Sequence, residues 1–256
     1  MTAKPAIALT SSRLKRDIER SPALKAQEAA ISARTIDYCH DVLDRSRFFS
    51  LLKVGAITPP LMQYAFLQYH FWRDRLHQWF GLCIVKAGSC TDPDQKAAIM
   101  SLADHTFTDL QDGHSELYID FLHELGLNDA AIAASQRSVA TTAYERSFFD
   151  DFGYGNDNFY EALAALSGRE LCVSSRNVRI LQSYFDARGM KRPTWLSLHA
   201  ELEVNHFQDS LRPVLTRYDG NSVALTRVLK AIECGIDRHV QYFEALLHEY
   251  EASNEH

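Results

Sequence analysis

The chain is predicted to be all-α, on three observations. Apolar residues recur with a 3.6-residue period over long stretches, most persistently at Leu225, Val228, Leu229, Ile232, Ile236, Val240, Phe243 and Leu247. No segment alternates with the period of two that a half-buried strand needs. Only 11 Gly and 7 Pro punctuate 256 residues, so turns are few and helices must be long. Together these predict a bundle of roughly seven to nine helices.

The elements follow in order. Residues 1–20 read as a polar lead-in, and residues 21–252 as a single helical domain. Ser21-Pro22 is a capping hydroxyl followed by a first-turn proline, which opens a helix running to about Leu52 before Gly55. Thr58-Pro59-Pro60 is a second start of the same kind. The helix it opens, residues 61–88, is apolar and aromatic on most of its surface and so belongs at the centre of the fold. Asp92-Pro93-Asp94 begins the next, and Asp112-Gly113 kinks or ends it before HSELYIDFLHELGL resumes helical spacing. A further helix spans about Asn128–Asp150, and Gly153-Tyr154-Gly155-Asn156-Asp157 is the clearest loop in the chain. After it, a helix ends at Gly189, a C-cap, and Arg192-Pro193-Thr194 starts another that Pro213 should kink or end. The last helix covers about Ser222–Glu251.

Composition removes several function classes. The net charge is −6 and the basic residues form no run, so neither a nucleic-acid footprint nor attraction to an anionic membrane surface is present. Five cysteines, Cys39, Cys83, Cys90, Cys172 and Cys234, are far apart with no C-x-x-C, which argues against a disulfide framework or a thiolate metal site and for a reducing compartment. No apolar run reaches membrane-spanning length, and the N-terminus lacks an apolar secretory core, so the cytoplasm is the expected location.

The stretch LHAELEVNH, residues 198–206, carries the chemistry. His199, Glu203 and His206 stand four and three apart, so a helix brings all three to one narrow stripe while Glu201 points away. A bundle normally fills such a stripe with Leu or Val. Imidazoles and carboxylates there need a partner, and a metal ion is one; satisfied interior or partly exposed polar residues are the other reading. Glu170 lies in SGRELCVSS among Leu171, Val173 and Val178, where an acid needs pairing, although a solvated Glu beside Arg169 also fits. In SLADHTFTDLQDGHSELY, His114 follows an acid-rich run in which Asp104, His105, Asp109 and Asp112 are all possible donors.

An acid, a His, a Glu 56 residues later, then H-x3-[DE]-x2-H beginning 29 residues further on resembles the haem-oxygenase-like diiron oxidases and oxygenases. GHSELYIDFLHELGL is also similar to the segment that follows the first histidine ligand in that family. The resemblance spans about residues 57–210. It implies a haem-oxygenase-like seven-helix bundle, here with an extra N-terminal helix, holding two iron ions on carboxylates and histidines. Carried over residue by residue, the implied ligands are Asp104, His114, Glu170, His199, Glu203 and His206, with Glu170 bridging the irons. The family usually has Glu three, seven or ten residues before the first His; Gln111, Phe107 and Asp104 stand there, so only Asp104 qualifies, with Asp109 or Asp112 next in line. The family more often has Asp where Glu203 stands.

The resemblance further implies O2 as co-substrate and an amino acid or a derivative as substrate, oxidised by N-oxygenation, desaturation or C–C cleavage in specialised metabolism. An external electron donor and a homodimer are the expected partners. His77 and Gln78 fall where some relatives place another ligand, and with Arg176, a potential carboxylate clamp, they are the candidate substrate contacts. The alternatives to that contact role are core histidines and a surface ion pair. A metal-free hydrolase like the TenA thiaminases, or a cofactorless oxidase like the PQQ-synthesis enzyme, would use the same bundle without needing three histidines and three acids at ligand spacing.

Overall fold

The computed structural model describes residues 21–87, 91–111, 113–153, 158–218 and 221–254, with the backbone alone at Phe152 and Gly153. The lead-in of residues 1–20, Tyr154–Asp157 of the expected loop, and Asp112 fall outside that set. Among the described residues every regular element is helical.

Eleven α-helices are present among them, more than the periodicity predicts, because three expected helices are interrupted. α1 (Pro22–Arg45) starts on the Ser21 cap but stops at Ser46, whose extended backbone and hydroxyl cap open α2 (Arg47–Lys53). α3 (Pro59–Arg73) begins on the Thr58 cap and breaks at Asp74-Arg75, after which α4 (Leu76–Val85) continues. At this break the Trp79 indole donates to the Trp72 carbonyl over 2.9 Å, sharing that acceptor with the Arg75 backbone N–H at 3.1 Å. α5 (Pro93–Gln111) and α6 (His114–Glu124) meet at Gly113, whose φ of +69° is the left-handed conformation that favours glycine. α7 (Asp129–Ala134) and α8 (Val139–Phe148) replace the single helix expected there, each with its own Asn or Ser cap.

α9 (Phe159–Ile180) is the axis of the molecule, buried along almost its whole length between α10 (Thr194–Arg217) and α11 (Ser222–Asn254). Its backbone touches that of α11 at two glycines. A Cβ on Gly168 would lie 2.2 Å from the Ile232 carbonyl oxygen, and one on Gly235 would lie 2.1 Å from that of Ala165. This contact fixes the height of Arg169 and Glu170, which follow Gly168 directly. α10 continues through Pro213 to Arg217 instead of ending there. Pro213, Val214 and Leu215 are all buried, and that packing outweighs the one hydrogen bond the proline removes.

Candidate metal centre

α5, α6, α9 and α10 converge on seven ionisable side chains that form two adjoining groups. His105, Glu170 and His206 make the first; Asp109, His114 and His199 make the second; within each, donor atoms lie within 4.8 Å of one another. Glu203 stands where both groups feel it. It is bonded to His206, with Nδ1 and Oε2 2.9 Å apart, and its charge also acts on His105 and His199.

Local helical geometry accounts for these positions. On α5, Ala98, Leu102, His105 and Asp109 recur at spacings of four, three and four, so the stripe that packs inward also carries the two donors. On α10, His199, Glu203 and His206 share one stripe, as their spacing predicts, and Glu201 is exposed. His114 opens α6 beside the end of α5 because Gly113 turns the chain between them.

Hydrogen bonds orient the rings. His199 Nδ1 donates to the Trp195 carbonyl over 2.8 Å, which leaves Nε2 as the lone pair. His114 Nδ1 donates to Asp109 Oδ1 over 2.8 Å, and the same oxygen accepts from Arg73 Nη2 at 2.9 Å, so His114 likewise presents Nε2. Arg73 is itself held by the Ser115 hydroxyl at 2.9 Å.

The electrostatics are those of a site built for cations. Burial pushes His105 down to about 3, helped by the neighbouring His206 charge, and pushes His199 down to about 4. Burial alone would raise Glu203, but the His206 hydrogen bond and charge outweigh it and hold the carboxyl low. Burial opposes the charge on His206, yet Glu203 and then Glu170 raise it well above an ordinary imidazole. Glu170 is raised, burial being the main cause. Both of its oxygens are buried without a well-formed hydrogen bond, with His105 Nδ1 at 3.5 Å and the Ser210 hydroxyl close by. A carboxylate left so needs a cation or a proton. Imidazole and carboxylate donors without thiolate suit Fe(II), so the residues present fit two iron ions.

Against the sequence expectations, His114, Glu170, His199, Glu203 and His206 come together as predicted. Asp104 does not: it is exposed on the opposite side of α5, and Asp109 and His105 supply that helix's donors. Asp109 stood next in line together with Asp112, and His105 was one of several possible donors; the register of His105 and Asp109 with Leu102 and Ala98 is the signal that separates them from Asp104. Glu170, expected to bridge, groups with His105 and His206, while the charge of Glu203 is felt by His105, His199 and His206. His77 and Gln78 are exposed on α4, turned away by the break at Asp74-Arg75. Arg176 is fully buried and its donors are committed, Nε and Nη2 to Asn177 Oδ1 and Nη1 to His239 Nε2 at 3.1 Å, with the Tyr69 ring 4.5 Å away. It clamps no substrate in this position.

Beside the donors lies a cavity whose wall is otherwise apolar, formed by Leu76, Phe80, Phe148, Leu166 and Val173 with Tyr69, Trp72 and Trp195. Arg73 and Arg169 reach its edge, both already paired, with Asp109 and Asp151.

Residues 61–253 match the family described as iron-containing redox enzymes, and the chain belongs to that family. No curated protein matches it. Among solved structures it is similar to a TenA homologue from Pseudomonas syringae, with 12% identity, TM-score 0.66, and coverage of 86% of this chain and 93% of that one. A domain of unknown function with a haem oxygenase-like fold from Shewanella denitrificans has 12% identity and TM-score 0.68 over 88% and 94% of the two chains. A CADD-like protein of unknown function from Nostoc punctiforme has 16% identity and TM-score 0.67 over 88% and 98%. These likenesses establish the haem oxygenase-like helical fold. Among the described residues no helix is long and apolar enough to cross a membrane.

Proposed function

We propose that this member of the iron-containing redox family is a non-haem diiron enzyme that uses O2 to oxidise a small organic substrate. The observation that carries the reading is the convergence of four imidazoles and three carboxylates in one region, with both oxygens of Glu170 buried and not engaged in a well-formed hydrogen bond. His105, Glu170 and His206 would hold one ion, Asp109, His114 and His199 the other, and Glu203 would reach both. Two ferrous ions bring four positive charges and the three carboxylates remove three, so the loaded site keeps a small excess able to attract anionic oxygen ligands. When bound, the irons supply the O2 affinity and the electrons that the side chains lack.

The protein's own contribution is placement. The Trp195 carbonyl fixes the His199 ring, and Asp109, held by Arg73, fixes His114, so both rings meet a metal without having to reorient. The aromatic wall keeps water from the donors and gives a substrate apolar surface beside them.

The test is to load metal-free protein with Fe(II) without air, count the bound iron, and mix rapidly with O2 while following visible absorbance. Two ions per chain and a transient band that is absent from a Glu203→Ala variant are expected. Full-length folded protein that binds only stray iron would return the chain to the metal-free, TenA-like reading.

A further inference from the structure

The cavity beside the donors is small, about 50 Å³, which is room for a few water molecules at most. A site for an organic molecule takes roughly 300 Å³ or more, so part of the wall has to move before a substrate can enter. Two arginines stand at the edge, each with a larger space beyond it. Arg73 also lines a cavity of about 380 Å³, together with His70 and Tyr118. Beyond Arg169 lies a groove of about 1100 Å³. Its wall includes Asp151, to which Arg169 is bonded, Nη2 to Oδ2 at 2.5 Å, and Ala165, one turn before Arg169 on α9. The Arg169–Asp151 pair thus has one member in the wall of each space.

The two arginines differ in what their movement would disturb. Arg73 is bonded to Asp109, a donor of the second metal group that also orients His114, so displacing it would disorder the centre itself. Asp151 is no metal donor, and it has a second guanidinium partner in Arg238 of α11, Nε to Oδ1 at 3.3 Å. If Arg169 leaves, Asp151 keeps one cation, and the large penalty of stranding a buried carboxylate is not incurred. Asp151 also stands on a π-helical turn, Phe149–Gly153, a rare winding that is found mostly at functional sites. The Ser147 hydroxyl at 3.0 Å and the Phe148 ring at 4.1 Å hold the Arg169 guanidinium in its inward position.

From this we infer that the substrate reaches the metal cavity from the groove, and that Arg169 is the gate between them. Its side chain leaves Asp151 and turns toward the groove, which joins the two spaces, while Arg238 keeps Asp151 paired. The inference rests on the diiron reading for what the inner cavity serves. Arg169 governs access, and Asp151 and Arg238 act as positioning residues for it.

The experiment follows access directly, on the full chain carrying Val173→Cys, both metal-free and loaded with redox-inert Zn(II). Val173 lines the metal cavity one turn after Arg169, and cysteine nearly preserves its size. The small neutral reagent methyl methanethiosulfonate is added, and site-resolved mass spectrometry gives the labelling rate at position 173. Cys172 beside it is fully buried and lines neither space, so it reports unfolding. Asp151→Asn weakens the hold on Arg169 and should speed labelling at least about tenfold, the worth of one charge-assisted hydrogen bond, with Cys172 still unlabelled. Cys234→Trp, placing a large ring in the groove wall, should slow labelling by a similar factor. Ser115→Ala, which removes a partner of Arg73, should change the rate little. Acceleration by Ser115→Ala with none by Asp151→Asn would put the entrance at Arg73, and a rate unchanged in both Asp151→Asn and Cys234→Trp would equally overturn the inference. If Asp151→Asn labels Cys172 too, it has unfolded, and Cys234→Trp decides alone: slower labelling supports the route and an unchanged rate overturns it. Failure to bind zinc counts against the metal centre alone, because the metal-free labelling still locates the entrance.

Discussion

His105 and His206 face each other from α5 and α10 with their ring centroids 3.7 Å apart. Burial keeps His105 neutral, whereas Glu203 holds a proton on His206, so the pair is tolerable without metal. Two imidazoles brought so close beside the buried Glu170 carboxylate are arranged for one ion. His105→Ala is therefore expected to lose about one of two bound Fe(II) ions, and Asp104→Ala, on the exposed side of α5, to retain both. Metal analysis of the two purified variants checks this; equal iron in His105→Ala and the parent would remove His105 from the centre.

Metal affinity should rise with pH across the neutral range. Glu170 and His206 both hold protons more tightly in the metal-free fold than they would in the unfolded chain, and a metal ion must displace them. His105 and His199, lying at about 3 and about 4, are already unprotonated and contribute nothing to the slope there. Calorimetry in buffers of different ionisation enthalpy should show release of up to about two protons per chain near pH 7. The sign for stability is opposite. Groups with raised folded values stabilise below their unfolded values, and that contribution is lost as pH climbs through the folded ones, so the metal-free protein should melt at lower temperature at pH 9.5 than at pH 7. A flat melting profile without metal would contradict the shifts.

Much of this was legible in the sequence, and the losses have physical causes. The stripe on α10 was readable because His199, Glu203 and His206 lie on one unbroken helix, where spacing fixes direction. The long central helix expected over residues 61–88 was misread because its break at Asp74-Arg75 involves the Trp79 side chain, which periodicity does not register. His77 and Gln78 were misplaced in consequence. On α5 the exposed Phe107 and Leu110, 62% and 64% accessible, blur the inward stripe that would have favoured Asp109 and His105 over Asp104. How the two groups adjoin is a relation among four helices, invisible in any one of them.

The glycine contact between α9 and α11 should be intolerant of a single methyl group. At Gly168 an added Cβ meets backbone, 2.2 Å from the Ile232 carbonyl oxygen, so no side-chain rotation relieves it. The helices must separate, and Glu170, two residues on, moves with α9. Gly168→Ala is expected to destabilise by about 1–3 kcal/mol, lowering Tm by roughly 2–12 °C for a chain of this size. It should also weaken metal binding, although Gly168 contacts no donor. A thermal melt and an iron titration on the same preparation measure both; a Tm within about 1 °C of the parent would mean that the two backbones are not pressed together as described.

Glu203 and Glu170 separate the two possible bridging arrangements. Glu170 approaches His105 and feels His206, both in the first group, while the charge of Glu203 reaches His105, His199 and His206, which belong to both. Removing a carboxylate that serves two ions uncovers both, and it leaves the raised His206 without its 2.9 Å partner. Removing one that serves a single ion leaves Asp109, His114 and His199 intact as a set. Glu203→Ala should therefore abolish binding of both Fe(II) ions, whereas Glu170→Ala should retain close to one. Glu203→Asp, shorter by one methylene, should keep the charge and recover part of the occupancy, which distinguishes loss of a ligand from collapse of the site. Anaerobic titration of the three variants with Fe(II) gives the answer directly, and the reverse order of losses would make Glu170 the shared carboxylate.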